Sequence, residues 1–194
     1  MKQLQARLDR VLERIESPEF LNNKGLGNEI GFYVFDYPAE RELLVRQHLG
    51  FLTDKLSNRG YRYAHINIFE AIIQLLQDEG ILEDAFELQQ AEGDAALREA
   101  LKGVLGQEDI ARYIVKLVKP EEQQFVLLSG LGSAWPLIRG HSLLNALHAA
   151  MGHTPLVLFY PGTYNGLELH PFGLIGSSNY YRAFQLVPTM DGMR

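Results

Sequence analysis

The residues with most chemical promise stand in one short run, Ser129-Gly130-Leu131-Gly132-Ser133-Ala134-Trp135. A glycine-rich turn between a strand and a helix can offer backbone N–H groups and a helix N-terminus to a phosphate. The dinucleotide fingerprint, however, needs a third glycine where this chain has Trp135, and Pro136 follows it. No acidic residue ends the next apolar run, Val157-Leu158-Phe159-Tyr160, to hold a ribose. A phosphate loop for ATP ends in Gly-Lys-Ser/Thr, which brings a lysine to the phosphates and a hydroxyl to Mg²⁺. Neither Lys24-Gly25-Leu26-Gly27 nor Gly130-Leu131-Gly132 has that ending.

Phe32-Tyr33-Val34-Phe35-Asp36 places an acid after four apolar residues, as a metal-holding aspartate would be placed, but Tyr37 stands where a catalytic glutamate belongs. Asp36 is therefore expected to cap the following helix across Pro38-Ala39, or to make a local polar contact. A serine hydrolase carries its nucleophile in a Gly-x-Ser-x-Gly elbow. Gly132-Ser133 lacks those flanks, and Ser129 has no glycine two residues earlier. The six histidines are His48, His65, His141, His148, His153 and His170. None pairs at metal-ligand spacing, although His141 and His148, seven apart, could share a helical face. With no cysteine in the chain, disulfides and thiolate chemistry are excluded. The residues call for no cofactor and no metal.

Composition narrows the classes further. The 194 residues are 46% hydrophobic and 22% charged, the balance of an ordinary globular domain. A net charge of -6 argues against strong direct binding of nucleic acid, where Lys and Arg must neutralise phosphates. No apolar run approaches the ~20 residues of a membrane span. The first residues lack the apolar core of a signal peptide, so a cytoplasmic protein away from membranes is expected.

The elements that must position these residues follow from periodicity. Leu4, Leu8, Val11, Leu12 and Ile15 line one face of a helix, and Ser17-Pro18 starts a further short turn. Ile30 to Tyr37 is apolar on both faces, as in a buried parallel strand. Val45, Leu49, Leu52 and Leu56 mark a helix closed by Gly60. Tyr61 to Ile68 reads as a strand and Phe69 to Leu76 as a helix. From 78 to 120 three short helices are expected as an insertion or side layer. Phe125 to Ser129 is the third strand, about 136 to 151 a helix, and Pro155 to Tyr160 the fourth strand. Leu167 to Phe172 reads as a short edge strand and Tyr181 to Val187 as the last. Strands alternating with helices imply right-handed crossovers. The expected fold is therefore a single three-layer α/β domain over residues 1–188, with a mostly parallel sheet of five to six strands. Residues 189–194 form a tail.

The last third is rich in aromatic residues and holds Arg139 and Arg182. Tyr, Trp and Arg anchor protein interfaces, and the C-terminal ends of parallel strands form the usual crevice of such a sheet. Trp135, Arg139, Tyr164 and Arg182 are the expected partner-contacting residues. Arg182 would reach that rim only if the last strand ran antiparallel. Asp36, Gly130 and Gly132 mark a possible ligand crevice.

Several ordered blocks carry a family resemblance. Phe20-Leu21 with Lys24-Gly25-Leu26-Gly27-Asn28-Glu29, Phe32 to Pro38, Leu127 to Leu144, Val157 to Gly162 with Tyr164 and Gly166, and Asn179 to Phe184 together resemble the BrxB family. The resemblance implies a small core component of BREX, a bacterial system that blocks bacteriophage replication and methylates self DNA. It also implies an adaptor without established catalytic activity, whose partners are the alkaline-phosphatase-like protein PglZ and other BREX subunits. No catalytic residue carries over from it. Two readings follow: a non-enzymatic interaction subunit, or a ligand- or nucleotide-binding enzyme or regulator with a degenerate site near Asp36 and Gly130-Gly132.

Overall fold

The computed structural model describes residues 2–22, 31–173 and 183–189. The chain opens with three short helices, α1 (Lys2–Asp9), α2 (Val11–Ile15) and α3 (Pro18–Leu21). Ser17 caps α3 by accepting from the Phe20 N–H, with Pro18 at the first helical position. Then come β1 (Phe32–Tyr37), α4 (Glu42–Asn58), β2 (Tyr63–Asn67) and α5 (Ile68–Asp78). α4 ends where Gly60, at φ +78°, lets the Tyr61 N–H reach back to the Leu56 carbonyl. Asn67 starts α5 by accepting from the Phe69 and Glu70 N–H groups while donating to the Glu70 carboxylate.

The remaining elements are α6 (Leu82–Glu92), α7 (Asp94–Leu101), α8 (Gln107–Val118), β3 (Phe125–Ser129), α9 (Leu131–Ala134), α10 (Gly140–Ala150), β4 (Leu156–Tyr164), β5 (Leu169–Pro171) and β6 (Phe184–Gln185). The strand order is β2-β3-β4-β1-β6, all parallel, and β5 pairs antiparallel with the far end of β4. The mostly parallel α/β sheet flanked by helices is the one expected.

Alternation along the strands sorts the core into two layers. Tyr33, Phe35, Phe125, Leu127, Val157 and Phe159 face α1 to α4, packing on Leu8, Ile15, Phe20, Leu52 and Leu56. Phe32, Val34, Val126, Leu128, Leu156 and Leu158 face α5, α8 and α10. Strands buried on both sides explain why their sequences are continuous apolar runs.

The helical insertion divides in two. α6 buries no residue and α7 only Leu101, whereas α8 sinks Ile110, Ile114 and Val118 into the main core. α8 is thus part of the sheet's covering layer.

Two segments depart from expectation. The helix expected over about 136–151 starts late, as α10 at Gly140, and an unexpected short helix, α9, precedes it directly after β3. Trp135 is extended at φ -73° and ψ 139°, the region forced on a residue that precedes proline, and its bond to Pro136 is cis. β4 continues four residues past Tyr160 because β5 folds back against it. The last strand is described only from residue 183 on, so its expected start lies outside the described residues, as does most of the expected tail.

Tyr160 is buried between Gly140 and Gly162, and its hydroxyl finds no hydrogen-bond partner among the described residues. Burial pushes its pKa up. Removing an unpaired buried hydroxyl forfeits no hydrogen bond. Tyr160→Phe should therefore keep or raise the melting temperature, measured by thermal unfolding; a clear drop would show that the hydroxyl is paired.

Candidate functional site

The C-terminal edge of the sheet is where an open α/β fold presents ligands, at the point where successive connections leave to opposite faces. Here β1 hands the chain to α4 on one face, while β2 and β3 hand it to helices on the other. A crevice of about 600 Å³ opens beside the end of β1, with Arg7, Asp36, Arg41, Gly162, Thr163 and Phe172 among its lining residues.

Asp36 does not cap α4. The short 3-10 turn Ala39–Arg41 and α4 both begin without a side-chain cap. Instead, Asp36 is buried against Arg7, whose Nη2 lies 2.6 Å from Oδ1. Arg7 Nη1 donates to the Asp36 carbonyl at 2.8 Å and Nε to the Val187 carbonyl at 3.0 Å. The second carboxylate oxygen of Asp36 accepts the Tyr164 N–H at 3.1 Å. The guanidinium also sits 4.7 Å from the centre of the Phe35 ring. Both carboxylate oxygens are therefore engaged inside the fold. Arg7 was missed in the sequence, though a signal existed: it falls three residues after Leu4 and four before Val11, on the apolar face.

The glycine run is a turn of a particular kind. Gly130 is left-handed at φ +76°, and a Cβ there would lie 2.0 Å from the Asn67 side-chain oxygen that caps α5. Gly132 has no such φ; its Cβ would meet Pro161 at 3.1 Å. The strained position is thus Gly130, and the close approach is to a helix cap and a proline ring. The crevice lining includes Asp36 but neither Gly130 nor Gly132.

The four interface residues separate in the same way. Trp135 is 41% exposed and packs edge-on to Phe172 at 5.4 Å between ring centres. Arg139 is exposed, precedes α10 and lines a second hollow with Arg98, Lys102 and Pro136. Tyr164 lies inside the fold: its hydroxyl donates to the Ala183 carbonyl and accepts from the Ala183 N–H, both at 2.8 Å. Tyr164 closes β4 against the last strand and offers no surface anchor. Arg182 lies outside the described residues, and β6 runs parallel to β1.

One pair escaped the sequence reading. His65 Nε2 and Ser129 Oγ are 2.8 Å apart across the β2–β3 ladder as a diagonal pair, since His65 stands opposite Leu127 and Ser129 opposite Asn67. Desolvation lowers the His65 pKa, as it does for His48 and His141. Nothing among the described residues bonds the other nitrogen of His65, so the third, orienting member of a nucleophilic triad is missing. No group of three or more His, Asp or Glu among the described residues could hold a metal ion.

The family model for "BREX protein BrxB" matches residues 64–186. The chain belongs to the BrxB family. It is 48% identical over 185 residues to the BREX protein BrxB of Escherichia coli O9:H4 (strain HS), covering 95% of this chain and 92% of that protein. It is 41% identical over 192 residues to the BREX protein BrxB of Bacillus cereus (strain H3081.97), covering 96% and 99%. No solved structure matches it. Among the described residues, no helix is long and apolar enough to cross a membrane. Membership of the BrxB family implicates the chain in BREX defence, and the one buried acid among the described residues, Asp36, is already paired.

Two outcomes follow for the BrxB chain. Arg7→Met strands Asp36 as an unpaired buried charge and should cost about 3–5 kcal/mol in denaturant unfolding, whereas a surface pair would cost under about 1. Gly130→Ala should cost roughly 1–3 kcal/mol in the same assay, since it imposes a strained φ and displaces the Asn67 cap.

Proposed function

We propose that this BrxB chain is a non-enzymatic core subunit of a BREX assembly in the bacterial cytoplasm, an adaptor that binds PglZ through the rim bearing Trp135 and Arg139. The observation that carries the reading is the division of labour at the strand ends. The groups that chemistry would need, Arg7 and Asp36, are consumed by each other and by backbone. Trp135 stands exposed against Phe172, which lines the same crevice, and the exposed Arg139 enters no hydrogen bond or ion pair among the described residues.

A large ring and an uncommitted guanidinium are the residue types that carry interface energy, through buried contact more than through general charge attraction. The net charge of -6 supports a protein partner over strong direct contact with DNA. The alternative is a ligand- or nucleotide-binding regulator or enzyme using the crevice near Asp36 and the Gly130–Gly132 turn. What favours it is the size of the crevice, with Glu40 and Arg41 exposed in its lining; what weighs against it is that the buried Asp36 is already paired and that the lining holds no lysine.

The test is co-purification of PglZ with single alanine variants, each checked for fold by circular dichroism. Trp135→Ala or Arg139→Ala should cost about 2 kcal/mol or more, roughly thirtyfold in affinity, with the fold intact. Wild-type capture by both variants would remove this rim from the interface. ATP turnover abolished by Asp36→Ala would favour the alternative.

A further inference from the structure

Among the described residues, the Tyr160 hydroxyl is the buried side-chain polar atom that lacks a hydrogen bond, on a residue only 2% exposed. Two glycines admit the hydroxyl end of its ring. A Cβ at Gly162 would lie 2.7 Å from Cε1, and a Cβ at Gly140 would lie 3.2 Å from Cε2. Those two carbons flank the one that bears the hydroxyl. Gly140 is the first residue of α10, and Cα–Cβ bonds in a helix tilt toward its N-terminus. The hydroxyl is therefore aimed at the N-terminal end of α10. That end is itself unsatisfied. No side chain caps α10, its first turn carries no acid, and the N–H groups of Gly140, His141 and Ser142 find no partner among the described residues. Gly140 and Ser142 are buried, where an unmade hydrogen bond is costly.

We propose that the N-terminus of α10 binds a phosphate group, held by the N–H groups of Gly140, His141 and Ser142, the Tyr160 hydroxyl and the Arg139 guanidinium. All of these groups donate. Burial keeps the Tyr160 hydroxyl protonated well above neutral pH. Arg139, the residue before α10, is exposed and has no ion pair among the described residues. A water molecule has two lone pairs and would answer only two of these donors, whereas the oxygens of a phosphate answer all of them. The positive end of the α10 dipole favours the same charge. Arg139 also lines a hollow of about 830 Å³ with Arg98, Lys102, Pro136 and Leu137. A phosphate monoester can thus set its phosphate at α10 and the rest of the molecule in that hollow. None of the five binding residues lines the crevice beside Asp36, and the proposal does not rest on the adaptor reading.

The test is a titration of the isotope-labelled full chain, without any partner, by inorganic phosphate, read from the amide signals in nuclear magnetic resonance. The Gly140, His141 and Ser142 signals should move together and saturate with a dissociation constant of about 1 mM or below. Tyr160→Phe should weaken binding about tenfold, and Arg139→Gln at least as much, since each removes a hydrogen bond to a charged group. Thermal unfolding should show both variants folded, which separates lost binding from lost structure. Adenosine monophosphate serves as a second probe. Tighter binding than phosphate, reduced by Arg98→Gln, supports an ester whose remainder fills the hollow; equal binding supports free phosphate as the ligand. Three amide signals that stay still up to about 10 mM phosphate overturn the proposal and leave the donors to water. So does binding that Tyr160→Phe and Arg139→Gln leave unchanged, which would put the ion elsewhere.

Discussion

The pairing of Arg7 with Asp36 ties together parts of the chain that are far apart in sequence. One guanidinium bonds the end of β1 through both the Asp36 carbonyl and its carboxylate, and it also holds the backbone at Val187. The carboxylate in turn holds the N–H of Tyr164 at the end of β4. First helix, central strands and last described segment therefore converge on one buried ion pair. Burying two charges is unfavourable unless further hydrogen bonds compensate, and here the Asp36 and Val187 carbonyls and the Tyr164 N–H supply them. The N-terminal helix is drawn onto the sheet as a result, and Leu4, Leu8, Val11 and Ile15 can complete the layer that α4 alone would leave open.

That constraint has a functional consequence. In an open parallel sheet the strand ends beside the central crossover are the natural place for phosphate, metal or substrate. In this chain the same place is occupied by a structural pair, and the glycine turn after β3 fits around the Asn67 cap and Pro161. The crevice keeps its shape with its buried acid committed, while Glu40 and Arg41 stand exposed in its lining. On its rim the exposed Trp135 packs against Phe172, which lines the crevice. An aromatic pair of this kind is what the proposed adaptor role would use.

Much of this was legible in the sequence where local rules dominate. β3 was readable residue for residue, since Phe125 to Ser129 is a short apolar run bounded by polar residues and glycine. The Ser17-Pro18 start and the Gly60 stop were equally direct, because caps and left-handed turns are local. The short α9 and the start of α10 at Gly140 rather than about Pro136 were harder, since a single helical turn leaves too little periodicity to read. The partners of Asp36 could not be found locally: Arg7 and Tyr164 lie 29 and 128 residues away. An arginine on an apolar helix face was the one available hint. Tyr164 was readable as an aromatic after a strand, but β4 runs on through Pro161 and Gly162, which periodicity alone does not reveal, and this extension carries Tyr164 inside. The BrxB family was legible in ordered blocks along the chain, which no single motif could have supplied.

Hydrogen–deuterium exchange of the BrxB chain, alone and saturated with PglZ, tests the adaptor role most directly. A rim-bound adaptor predicts slowed exchange in the segment from Leu131 to about Leu144, with the amides of β1 and the Arg7–Asp36 clamp unchanged. Unaltered exchange from Leu131 to Leu144 in a demonstrably formed complex would contradict it.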